Sequence, residues 1–94
     1  MRVTLILPGP LHPIAGGGRE EVTLDAPGAR VADALAALWT MHPALRDRVM
    51  TEEGRLRPHV NVFVGRDSVR YTGGLDTPLK DGAEVAILPA VSGG

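Results

Sequence analysis

Ninety-four residues make one domain, large enough for a single core without support from a metal or a disulfide. The formal net charge of -1 and pI near 6.3 leave no basic stripe for nucleic acid, and the lack of cysteine excludes disulfides, thiolate metal sites, iron-sulfur clusters and a thiol nucleophile. Hydrophobic residues make up 44% of the chain while Phe, Tyr and Trp occur once each, so the expected core is aliphatic.

In chain order, Met1 to Pro8 is too short for the apolar core of a signal peptide. No stretch reaches the roughly 18 apolar residues of a spanning helix, so no membrane partner is expected and the cytoplasm is the expected compartment. Val3 to Leu7 is a β-branched apolar run stopped by Pro8-Gly9-Pro10, a strand with Val3, Leu5 and Leu7 on its buried face. Pro8 to Gly18 is a loop; its Gly16-Gly17-Gly18 run lacks the Lys-Ser/Thr that follows in a phosphate-binding loop. Glu20 to Asp25 alternates as a second strand with Val22 and Leu24 inward, completing a hairpin with a long tip. After the Ala26-Pro27-Gly28 turn, Val31, Leu35, Leu38 and Met41 follow helical spacing among alanines, with Met41 and Trp39 expected in the core. That helix should stop near His42-Pro43, because the residue before proline is pushed out of the α region. A short helical turn over Ala44 to Val49 and an exposed Thr51 to Arg55 connection follow.

Val60, Val62 and Val64 form the core face of a third strand, which puts Phe63 on the opposite side. Gly65-Arg66-Asp67 turns the chain into a further extended segment, Ser68 to Tyr71, and Thr72 to Gly82 is rich in turn residues. The final strand, Glu84 to Leu88, adds Val85 and Ile87 to the core and leaves Ala86 and Leu88 on the same outer side as Phe63. A sheet more apolar outside than a lone monomer requires is read as a partner-docking surface. Arg70 either pairs with an acid near the sheet edge or contacts the same partner. His12, His42 and His59 have no metal-ligand spacing, and no Ser-His-Asp order or nucleophile elbow is present.

A hairpin, one main helix and two or three further strands predict an α+β roll, a mixed sheet packed on the helix. The first and last strands should lie parallel in its middle, the β-grasp or ubiquitin-like arrangement, with residues 1-88 as the domain and 89-94 as a tail. The tail is Pro89-Ala90-Val91-Ser92-Gly93-Gly94. Taken alone, a Gly-Gly end reads as a frayed terminus or a cloning scar. Its carboxylate, with an ordinary pKa of about 3.3-3.7, is ionised and a poor electrophile, so acyl chemistry there requires activation from outside.

Three stretches carry a resemblance: Val69-Arg70-Tyr71-Thr72-Gly73-Gly74-Leu75, Leu79-Lys80-Asp81-Gly82-Ala83-Glu84-Val85 and Ile87-Leu88-Pro89-Ala90-Val91-Ser92-Gly93-Gly94. Together they resemble the ubiquitin-like sulfur carriers, the ThiS and MoaD type, over essentially the whole chain. The Val60-Asn61-Val62-Phe63-Val64 strand and the Arg70 to Leu75 run are most similar to the CysO type, the carrier of cysteine synthesis.

The resemblance implies a carrier protein that is a cosubstrate and not itself an enzyme. A ubiquitin-activating-type adenylyltransferase and sulfurtransferase, using ATP and magnesium of its own, would convert the Gly94 carboxylate to an acyl adenylate and then to a thiocarboxylate. The chain itself would bind no cofactor and no metal. Gly93, Ser92 and Val91 would carry the reacting end into a partner's active site, over a reach of about 20 Å from Pro89 when extended. Phe63, Ala86, Leu88 and Arg70 would dock the partners. A sulfur-accepting synthase, such as a pyridoxal-phosphate cysteine synthase, is one expected partner and a metal-dependent protease that trims the tail another. Three other readings stay open: a modifier joined to lysines, the small subunit of molybdopterin synthase, and a β-grasp interaction module whose tail does no chemistry.

Overall fold

The computed structural model describes residues 1-7, 18-25 and 28-89, with Pro89 by its backbone alone. Most of the Pro8 to Gly18 loop with His12, the Ala26-Pro27 part of the next turn, and the tail residues Ala90, Val91, Ser92, Gly93 and Gly94 lie outside the described residues.

Five strands form one sheet: β1 (Arg2–Ile6), β2 (Arg19–Thr23), β3 (Val60–Val64), β4 (Asp67–Ser68) and β5 (Glu84–Pro89), in the order β2-β1-β5-β3-β4. β1 and β5 pair in parallel at the centre, while β1 with β2, β3 with β5 and β3 with β4 are antiparallel. The expected α+β β-grasp arrangement is the one observed. Strand alternation does the sorting: Val3, Leu5, Val22, Val62, Val85 and Ile87 are all buried on one face.

Helix α1 (Val31–Met41) packs Val31, Ala34, Leu35 and Leu38 on that face. Its first turn is closed by the Asp33 carboxylate, which accepts the Arg30 N–H at 2.7 Å and also places negative charge at the positive end of the helix dipole. The start of α1 is fastened to the 77-79 segment by Val31 N–H to Thr77 O at 2.9 Å and Leu79 N–H to Ala29 O at 2.9 Å. It ends where expected, with His42 extended before Pro43, and Pro43 opens a second helix, α2 (Pro43–Val49), where its missing N–H costs nothing. The junction is tied to the sheet edge by His42 Nε2 and Glu20 Oε1, 2.7 Å apart and partly buried. Val3 pairs with Val22 and Leu5 with Glu20, so this carboxylate sits on the inner side of an edge strand, where an apolar residue would invite pairing with another sheet.

Three local expectations are corrected. Met41 is 43% exposed, because an 11-residue α1 ends before its last turn reaches over the sheet; Trp39 only packs against the rim of the core. Val64 is half-buried, since it lies at the turn end of β3. The segment after Asp67 is extended for two residues only. Gly65 at φ +59 leads the two-residue turn that joins β3 to β4, and the Ser68 hydroxyl then accepts the Arg70 N–H at 3.3 Å. That bond bends Val69–Tyr71 into a 3-10 turn which buries Val69 and leaves Tyr71 84% exposed.

Candidate functional site

The register places one residue from every strand in a single row across the outer face of the sheet. Arg19 opposes Ile6, Ile6 opposes Ala86, Ala86 opposes Phe63 and Phe63 opposes Ser68. Ile6, Ala86 and Phe63 are therefore contiguous, and all three are half-buried by one another and their neighbours. Leu88 lies two residues along β5 from Ala86, on the same face, 36% exposed and opposite Asn61. The expected grouping of Phe63, Ala86 and Leu88 is what the strands assemble. Ile6 was missing from it, although alternation within the Val3 to Leu7 run already puts Ile6 on the side away from Leu5.

The apolar stripe has a polar border. Arg19 and Glu84 form an exposed ion pair at 3.7 Å beside it, and Thr4, which opposes Glu84 and Glu21, continues that border. Arg70 makes no ion pair among the described residues. Its guanidinium reaches the Asn61 side-chain oxygen at 3.5 Å, at the long limit of a hydrogen bond. Arg70 and Asn61 line a small cavity of about 170 Å³ with Arg57, Pro58 and Ser68. Leu56, Val60, Val62 and Val69 complete its lining, and the Arg57 Nε–H is already donated to Asp47 O at 2.8 Å.

Leu88 and the Arg70-Asn61 contact lie towards the end of β5. Pro89 opposes Val60 in the last ladder position, and Leu88 and Asn61 stand one step before it. Leu88 and Asn61, which Arg70 reaches, thus stand beside the end of the ladder, while the apolar row crosses β5 three residues earlier at Ala86. The expected tail site, Val91 through Gly94, lies beyond the described residues. No three His, Cys, Asp or Glu among the described residues could hold a metal ion, and His59 is exposed while His42 is engaged with Glu20.

Residues 5–94 match the ThiS family. The chain belongs to that family. Over its full length this ThiS-family chain is 35% identical to the sulfur carrier protein CysO of Mycobacterium tuberculosis, across 96 residues and 100% of each protein. Small archaeal modifier protein 1 of Haloferax volcanii is 40% identical over 78 residues, 82% of this chain and 85% of the relative. A crystal structure of that modifier matches the fold with a TM-score of 0.86 at 35% identity, covering 100% of both chains. The crystal structure of the BexX/CysO complex of Amycolatopsis orientalis contains a chain matching at TM-score 0.81 and 35% identity, over 98% of this chain and 99% of that one. These relatives are small ubiquitin-like carriers and modifiers, and this ThiS-family chain is likewise a carrier rather than an enzyme.

Proposed function

We propose that this chain carries sulfur on its C-terminal glycine for biosynthesis, with cysteine as the product. Residues 1-88 form the recognition domain and 89-94 the tail that enters partner active sites. An activating enzyme using ATP and magnesium joins the Gly94 carboxylate to AMP and releases pyrophosphate. Sulfide-level sulfur, as hydrosulfide, then attacks the acyl carbon, the C–O bond to AMP breaks, AMP leaves, and Gly94 loses the thiol proton to solvent and is left as a thiocarboxylate.

The observation that carries this reading is the position of β5. It is held on both sides, by β1 and β3, and its last paired residue is Pro89, so the domain anchors the chain firmly up to the residue where the tail begins. The Ile6, Ala86, Phe63 and Leu88 stripe gives an activating enzyme an apolar surface beside that point. That a CysO chain of Amycolatopsis orientalis forms a complex with BexX supports partner docking in general. Full-length similarity to CysO favours cysteine as the product, through a pyridoxal-phosphate synthase that accepts the sulfur and a metal-dependent protease that trims the tail.

The 40% identity to a small archaeal modifier supports a second reading, in which the same activated Gly94 is joined to lysines of other proteins. Isolation of the chain from its own cells separates the two. The carrier reading expects a thiocarboxylate on Gly94 and transfer of its labelled sulfur into cysteine by the accepting synthase. Lysines bearing Gly-Gly remnants throughout the digested lysate, with no sulfur on the chain, would establish the modifier reading instead.

A further inference from the structure

Lys80 is the only lysine among the 94 residues, beside nine arginines. Guanidinium groups stay protonated and do not take up acyl groups, so nine of the ten cationic side chains are inert towards an activated carboxyl. Lys80 is exposed in the segment leading to the Asp81-Gly82 turn, and no carboxylate among the described residues lies within 4.0 Å of its ammonium. It lines an open groove of about 530 Å³ with Thr4, Val64, the glycines Gly65 and Gly82, and the acidic residues Asp81 and Glu84. Both glycines have open space where a Cβ would be, so neither crowds the approach to Lys80. The amino group of Met1 is the other amine, and it is partly buried and donates to Leu24 O at 3.0 Å.

We infer that Lys80 is the acceptor through which copies of this chain become joined to one another, tail to turn, when the terminal carboxyl is activated and no sulfur arrives. The inference rests on the proposed activation of Gly94. The deprotonated Lys80 amine attacks the Gly94 acyl carbon of a second copy; a C–N bond forms, the C–O bond to AMP breaks, AMP leaves and the amine proton passes to solvent. The product is an isopeptide, and with one acceptor per copy it grows as an unbranched series.

Geometry directs the reaction between copies. Lys80 O accepts the Ala83 N–H at 3.0 Å, which holds Lys80 beside the start of β5, whereas Pro89 is at the other end of that strand. Six strand residues at a rise of about 3.3 Å separate Glu84 from Pro89 by about 17 Å, which equals the fully extended reach of residues 90-94. For Lys80 to meet Gly94 of its own copy, that segment would have to run back along nearly the whole strand, a demand that a second copy does not face.

The test uses the full chain in two arms. In one, the activating enzyme and ATP are supplied without a sulfur donor, with pyrophosphate release recorded; in the other, Gly94 is prepared chemically as a thioester, which bypasses the enzyme. Tandem mass spectrometry is expected to locate a Gly94-Lys80 linkage in dimers from both arms, and K80R to lower dimer yield at least tenfold while leaving pyrophosphate release unchanged. Linkage at Met1, a cyclised monomer, or undiminished dimer from K80R would overturn it. Pyrophosphate release with no Lys80 linkage would refute this inference alone. A failure to release pyrophosphate would refute the activation of Gly94, and the thioester arm would then still decide the role of Lys80.

Discussion

Thr77 is the one buried polar side chain among the described residues, and its hydroxyl is fully used. It donates to Gly74 O at 2.8 Å and pairs with the Thr72 hydroxyl at 3.0 Å, closing the 3-10 turn Gly74–Asp76 against the start of α1. Thr77→Val keeps the shape but leaves those partners short of a bond, so it should lower unfolding free energy by about 1-2 kcal/mol, measured by urea denaturation. At the other end of α1, His42→Ala removes the tie to Glu20; a loss of about 1-2 kcal/mol is expected, with Glu20→Ala close behind and the double variant no worse than additive. Neither contact was legible in the sequence. His42 and Glu20 are 22 residues apart, and nothing local says that the end of a helix will meet an edge strand. The buried valines and leucines were legible, because alternation and helical spacing assign them without knowledge of the partner.

Among the elements, β5 has two duties on its two faces. Val85 and Ile87 are fully buried, so Ile87→Ala should cost about 2-5 kcal/mol and lower the melting temperature. Ala86 and Leu88 face outward with Ile6 and Phe63, where a charge is tolerated by the fold. Phe63→Asp should therefore shift the melting temperature much less than Ile87→Ala, yet raise the KM of an activating enzyme for this chain at least tenfold. Equal KM for Phe63→Asp and the parent would remove the sheet face from the account. The strand order was readable from the element order, since a hairpin, a helix and a buried last strand leave few ways to shield β5. The 3-10 turn at Val69–Tyr71 was not, because Val69-Arg70-Tyr71 has strand-like residue types and only the Ser68 hydroxyl redirects the backbone.

At the scale of the whole molecule, the proposed function makes the domain a holder and gives the chemistry to Gly94. Membership of the ThiS family and a last strand paired up to Pro89 support that proposal, and the motif that suggested it lies in the segment beyond Pro89. Under the proposed function, the sulfur acceptor would be chosen by a partner's active site, and a tail of Val91, Ser92, Gly93 and Gly94 carries no residue that names it. The measurement that bears most directly on the central claim is the intact mass of the chain after incubation with its activating enzyme, ATP, magnesium and a sulfur donor. The account predicts a shift of one oxygen-to-sulfur exchange, located on Gly94 by fragmentation and absent when Gly94 is deleted. An unchanged mass while ATP is split to AMP, or sulfur found on any other residue, would contradict it.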